Sequence, residues 1–400
     1  MMPKSVCRFR ATSCSTSSIL ERMILGRTDL KSSDSGRMRS GLIDRRAFVK
    51  AAGLTFLAAL KPGALMALER ADAVYASGIR AADGSFAVAT VTEQGRIVDQ
   101  VALPARAHGM AFSKATGKTV AFARRPGTYA MVFDPWNKAE PIVISAKEGR
   151  HFYGHGTFSP DGRLLYASEN DFDNNRGIIG LYDGGNRFAR IGEYETYGVG
   201  PHDMTVSDDG RLLIVANGGI ETHPDFGRTK LNRDHMEPSL TLIDAASGRL
   251  IEKHTLPPQY AQVSTRHVDI DASGRVWFAC QYEGHRNDLP PLVGHFARGE
   301  DLTFVTLPND TTRALGNYVG AIAVNRAENL VGVTSPIKGT SVMLDAKTGR
   351  VLKVESIADA AGIAPASHGF AVSSYDGNFL GEHSDVAWDQ HIVRIKRPAA

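Results

Sequence analysis

Cysteine is nearly absent: the 400-residue chain has three, Cys7, Cys14 and Cys280. Two of them fall in the first fourteen positions, so the rest of the chain holds one thiol and closes no internal disulfide. A domain of roughly 330 residues buries enough apolar surface to stand without one, and Cys280 reads as a small buried hydrophobe. Tryptophan is equally scarce. Trp136, Trp277 and Trp388 are too few for the tryptophan-docked blades of quinone-dependent alcohol dehydrogenases. No Cys-x-x-Cys-His is present, so covalent haem has no support. Gly-x-Ser-x-Gly, a Walker loop and a dinucleotide fingerprint are missing too, which leaves no nicotinamide or flavin signal.

Charge is unevenly spread. The whole chain carries 46 Lys/Arg against 43 Asp/Glu, a formal net charge of +3. The first 70 residues hold 13 against 5, leaving 33 against 38 beyond them. The remainder is slightly acidic, which argues against nucleic acid as a partner.

Asp44-Arg45-Arg46-Ala47-Phe48-Val49-Lys50 precedes an apolar stretch from Ala51 to Leu60, then Lys61-Pro62-Gly63-Ala64-Leu65-Met66-Ala67. A charged segment, a short apolar one and small residues at its end compose a secretory signal. The apolar stretch is too short for a stable membrane anchor. Paired arginines ahead of Phe48 and Lys50 resemble the twin-arginine (Tat) signal, whose substrates cross the membrane folded. Residues 1–70 are therefore expected to be an N-terminal extension and signal region, cleaved near Ala67, with Met1 or Met38 as the start. The expected location is the periplasm, reached through the Tat translocase.

From residue 71 the chain repeats. The segments starting Ala107-His108-Gly109, Gly154-His155-Gly156, Pro201-His202-Asp203, Arg266-His267-Val268, Val319-Gly320-Ala321 and Ser367-His368-Gly369 are alike. In each unit a short strand precedes an Asp-Gly type of turn. A very apolar strand follows, such as Leu212-Leu213-Ile214-Val215-Ala216, and two further strands complete the unit. Four short strands per unit are the mark of a propeller blade. These six starts and the strands of residues 72–103 predict an all-β fold, a seven-bladed β-propeller over residues 71–400, with six or eight blades as alternatives. The strand His391–Lys396 is expected to end the last blade and help close the ring.

Blade-start residues and the loops after each second strand should meet around one mouth of the channel. His108, His155, His202, His267 and His368 would form a broken ring there. Neutral imidazole is the commonest metal ligand and suits iron and copper, so these five are candidate ligands of a transition-metal ion. A structural role, pinning each strand's entry, competes with that reading. Neighbouring loops are expected to bring Arg124, Arg125, Glu169, Asp171, Asn217, Glu283 and His383 to the mouth. The two arginines could hold an anion or be a solvated pair. An insertion from Gly218 to Pro238 carries His223, Asp225 and Arg228 in place of Ser/Gly filler, and reads as a lid.

Arg45-Arg46-Ala47-Phe48, Gly154-His155-Gly156-Thr157-Phe158, Gly200-Pro201-His202, Gly218-Gly219-Ile220-Glu221-Thr222-His223-Pro224-Asp225 and Ser367-His368-Gly369-Phe370 together resemble a known family. It comprises Tat-exported propellers of unknown function from Proteobacteria, with a fold similar to YVTN-type propellers and the quinoprotein amine dehydrogenase β-chain. The resemblance implies genes beside imelysin-like iron-uptake proteins, and hence periplasmic metal-uptake proteins as partners and a role in iron or copper acquisition. It carries over no catalytic residue and no oligomeric state. Three functions follow as alternatives: a non-enzymatic metal-binding propeller, a hydrolase, lactonase or lyase using the same mouth, and a protein-binding scaffold.

Overall fold

The computed structural model describes residues 72–397; the signal region expected over residues 1–70 lies outside the described residues. The chain folds as a seven-bladed β-propeller, seven antiparallel sheets of four strands each. Blade 2 is typical, with strands Ala107–Phe112, Thr119–Ala123, Tyr129–Phe133 and Ile142–Ser145 running outward in chain order. Blades 3 to 7 begin with the inner strands Arg150–Phe158, Pro201–Val206, Val263–Ile270, Ala321–Asn325 and Ala360–Pro365.

Local sequence explains the hairpins. Asp161 Oδ1 accepts from Ser159 Oγ at 2.6 Å and from Arg163 N at 3.0 Å, tying the turn between the first two strands of blade 3. Asp209 makes the same two bonds to Ser207 Oγ and Arg211 N in blade 4, at 2.6 and 3.0 Å. A short acceptor side chain bonding its own turn is why Asp sits at these positions. The second strands are sandwiched between neighbouring blades, so they read as continuous apolar runs instead of alternating ones. Val120, Phe122, Leu213, Val215, Trp277 and Phe278 are all wholly buried there. Cys280 lies in the same core, fully buried, and burial pushes its thiol up from the ordinary value.

Two expectations about the ends of the repeat are corrected. The C-terminal strand, Ala387–Arg394, does not end the last blade. It pairs with Ala73–Arg80 and becomes the innermost strand of blade 1, so that blade is built from both ends of the domain. This inner strand packs between those of blades 7 and 2 and closes the ring. In blade 7, Ser367-His368-Gly369 is not a blade start. It lies in the turn leading into the second strand, Phe370–Ser374, one strand later than the repeat suggested.

Candidate functional site: a histidine cluster under a cationic cavity

Five inner strands each send one histidine into the channel, and each of these histidines sits at an irregularity of strand pairing. The register between first and second strands shifts across Ala107/Met110, Phe152/Gly156, Pro201/Asp203 and Thr265/His267 in blades 2 to 5. In blade 1 it shifts between the pairs made by Ser77 and Ile79, the stretch that contains His391. A bulge adds a residue and re-aims a side chain. Here the bulges turn His108, His155, His202, His267 and His391 into the channel. Of the two blades whose inner strand has no histidine, blade 6 pairs with no register shift and blade 7 shifts between Ala360 and Ile363.

The five imidazoles pack against one another. His155 is central, with ring centroids 4.6 Å from His391, 4.8 Å from His108, 4.9 Å from His202 and 5.3 Å from His267. Ligand-capable nitrogens of His108, His155 and His202 lie within 4.8 Å of one another, as do those of His155, His267 and His391. The packing depends on two glycines. A Cβ on Gly109 would meet the Gly154 carbonyl and stand 2.5 Å from His155 Nδ1; one on Gly154, at φ +105°, would stand 2.8 Å from His108 Cδ2.

Burial disfavours the charged form of His108, His202, His267 and His391. It pushes His108, His202 and His391 well below the ordinary imidazole value, and the like charge of the neighbouring rings acts the same way. Burial lowers His267 to about 4 against the raising effect of the Asp203 carboxylate beside it. Asp203, on the inner strand of blade 4, lies 3.2 Å from His155 Nδ1. Burial alone would raise its carboxyl, but His155 and then His267 outweigh that and hold it far below the usual range. His108 Nδ1, His155 Nε2, His202 Nδ1 and His391 Nε2 are buried without a hydrogen-bond partner.

The cluster partitions the channel. On one side His108 and His202 floor a cavity of about 270 Å³, also lined by Arg124, Arg125, Arg228, Lys230, Arg266, Gln281, Tyr318 and Gln390. On the other side His155, His267 and His391, with Asp203 and Asp269, line a lumen of about 900 Å³ formed by the later residues of the inner strands. Burial raises Asp269 to about 6 despite its bonds from Val324 N and Ile270 N.

Of the residues expected at the mouth, Arg124, Arg125 and Arg228 do line the cavity, and Glu283 stands behind it, bound to Lys230 Nζ at 2.6 Å. The others are elsewhere. His368 has a side chain 93% exposed and pairs with Glu328 at 3.1 Å, away from the cluster. Glu169 and Asp171 belong to the second strand of blade 3, which runs to Asp171 where a loop was expected. Glu169 is wholly buried, accepting from Tyr182 Oη at 2.7 Å and Arg190 Nη2 at 3.0 Å, while Asp171 binds Arg176 at 2.9 Å. Asn217 is buried and donates to Thr196 O at 3.2 Å, which ties blade 4 to the preceding connection. His383 is exposed on the outermost strand of blade 7. In the insertion, His223 caps the short 3-10 turn Pro224–Phe226, accepting from Asp225 N at 3.2 Å, and packs edge-on against Phe172. Asp225 itself is exposed.

Several site residues were not singled out from sequence: His391, Asp203, Lys230, Arg266, Tyr318 and Gln390. His391 had a signal. His391-Ile392 matches the His267-Val268 pair once the last strand is counted as a blade start.

Fold and site together define a β-propeller with a polar channel blocked by imidazoles. Residues 101–395 match the family described as "Protein of unknown function (DUF1513)", and the chain belongs to it. No curated protein matches the chain. Among solved structures, Kuenenia stuttgartiensis hydrazine synthase is similar at 14% identity and TM-score 0.56, over 77% of this chain and 89% of that one. The Cps50 (Swd1) β-propeller domain of Myceliophteria thermophila is similar at 10% identity and TM-score 0.54, over 76% of this chain and 93% of its own. At such identities these likenesses show the fold alone.

Proposed function

We propose that this is an exported, periplasmic propeller that holds a transition-metal ion, iron or copper, in its channel and serves metal acquisition, not catalysis. One observation carries the reading: His108, His155 and His202 bring their nitrogens within 4.8 Å of one another, and each has one nitrogen buried and unpartnered. Buried polar atoms without partners are rare and costly, and an ion would take their lone pairs. Nitrogens on one tetrahedral ion stand about 3.4 Å apart when its bonds are about 2.1 Å, so the rings would turn slightly inward around it. Asp203 behind His155 matches the carboxylate that commonly orients a ligating imidazole. Export rests on Arg45-Arg46-Ala47-Phe48, and metal-uptake partners rest on the family resemblance.

The test is metal content by mass spectrometry on protein matured through Tat export, beside His155→Ala/His202→Ala. Near-stoichiometric iron or copper that the double variant loses, with an unchanged circular dichroism spectrum, supports the reading. No metal at any loading sinks it and leaves a protein-binding scaffold. The cavity beside the triad favours a second reading, because hydrolytic metal centres keep an open position on three protein ligands. Hydrolysis of lactones or esters by metal-loaded protein would support that alternative.

A further inference from the structure

The cavity above the histidines has an unbalanced charge. Five cations line it, Arg124, Arg125, Arg228, Lys230 and Arg266, and no carboxylate does. Lys230 is neutralised from behind by Glu283, at 2.6 and 2.5 Å. Among the described residues, none of the four arginines forms an ion pair with Asp or Glu. Elsewhere several guanidiniums are held by carboxylates. Arg106 grips Asp389 at 2.8 and 3.0 Å, Arg150 grips Glu193 at 2.7 and 3.0 Å, and Arg190 reaches Glu169 at 3.0 Å. Arg124, Arg125, Arg228 and Arg266 have no such partner and converge on one space, whereas Arg275, whose Nε is also buried and unpartnered, lies outside it.

We propose that this cavity binds a small organic polyanion, carrying at least two carboxylate or phosphate groups, through Arg124, Arg125, Arg228 and Arg266. Arg125 and Arg266 are each only 8% exposed, and Arg124 Nε is buried without a partner. Burial, then Arg266, pulls Arg125 down to about 10; burial, then Arg124 and Arg125, does the same to Arg228. Crowded guanidiniums that repel one another and form no ion pair are a site built for charge that arrives with a ligand. Each planar fork matches one oxyanion group bidentately. Four forks around about 270 Å³ exceed what a single oxyanion can engage, so the ligand must carry several such groups. Gln281, Gln390 and Tyr318 complete the wall with amide and hydroxyl groups suited to a ligand hydroxyl. Gln390 Nε2 already donates to Tyr318 Oη at 2.8 Å. Arg124 and Arg125 follow the second strand of blade 2, Arg266 lies on the inner strand of blade 5, and Arg228 comes from the insertion. The ligand therefore bridges the scaffold and its lid.

The experiment is calorimetric titration of the full chain, metal-free and at fixed ionic strength, with citrate, phosphoglycerate, inorganic phosphate and acetate. Saturable 1:1 binding of citrate or phosphoglycerate, about tenfold or more tighter than phosphate or acetate, is expected from several forks acting together. The stronger of those two identifies the preferred group. Arg228→Gln, on the exposed lid, should weaken that binding about tenfold with no change in the ligand-free melting temperature. Arg266→Gln should also lose binding, yet melt at the same or a higher temperature, because an unpaired buried charge is removed. No saturable binding of either polyanion overturns the proposal, as does binding indifferent to both variants. Phosphate or acetate binding as tightly as the polyanions overturns the ligand class.

Discussion

His155 Nδ1 stands 3.2 Å from Asp203 Oδ1, while the other oxygen of that carboxylate stands 3.6 Å from His267 Nδ1. One acid on blade 4 thus addresses an imidazole from each neighbouring blade. Met204 N donates to the same carboxylate at 2.8 Å, and Val268 N does so at 3.3 Å, fixing its place. With Nδ1 so engaged, His155 is left with Nε2 toward the other rings. Asp203→Asn keeps an acceptor for the backbone bonds but removes the charge. Metal affinity should fall about 10- to 100-fold, as for other carboxylates behind a ligating histidine. Metal titration beside circular dichroism checks this; unchanged affinity would mean Asp203 does not orient the cluster.

Gly109 gives His155 its room. Gly109→Ala should destabilise the protein by about 1–3 kcal/mol, the ordinary cost of overpacking, because the Cβ meets a backbone carbonyl and the ring together. Urea unfolding measures the cost, and metal content should drop in the same variant.

His368→Ala should do neither. Its side chain is open to solvent with one bond to Glu328, so stability should change by no more than about 0.5 kcal/mol and metal content should not change. A loss of metal in this variant would place the binding site away from the channel.

The contrast between His368 and His391 shows what the sequence conveyed. Ser-His-Gly-Phe-Ala-Val-Ser matches Ala-His-Gly-Met-Ala-Phe-Ser residue type for residue type, yet one runs from a turn into a second strand and the other lies along an inner strand. Alternation along a strand tells which side chains are buried; it does not tell the strand's place in the blade. His391 was hidden by closure, because a linear count assigns the last strand to the last blade and ring geometry assigns it to the first. Blade number, the four-strand unit and the histidines of blades 2 to 5 were legible because turn chemistry and apolar runs are local. Arg266 was not. Its direction is set by the bulge between Thr265 and His267, and a bulge depends on pairing with another strand.

Acid should reveal the ion network of blade 3. Hydrogen bonds from Arg150 and then Arg190 hold Glu193 down to about 2. Its folded value lies below its unfolded one, so its contribution is full above about pH 4.5 and vanishes as pH falls toward 2. Glu193→Gln should therefore be less stable than the native protein at pH 7, with the gap closing between pH 4.5 and 2. Denaturant midpoints across that range test it; a constant gap would refute the assignment.

The strand that completes blade 1, Ala387–Arg394, follows every other described strand in the sequence. During synthesis the ribosome delivers His108, His155, His202 and His267 long before His391 and Gln390. A nascent chain can therefore show four imidazoles but no sealed partition and no finished cavity wall. The channel contents are in effect a receipt for a closed ring: a propeller that lacks this one strand has loose ends where the cluster should be. Whatever this propeller carries, its channel is finished only once Ala387–Arg394 has been made and has docked.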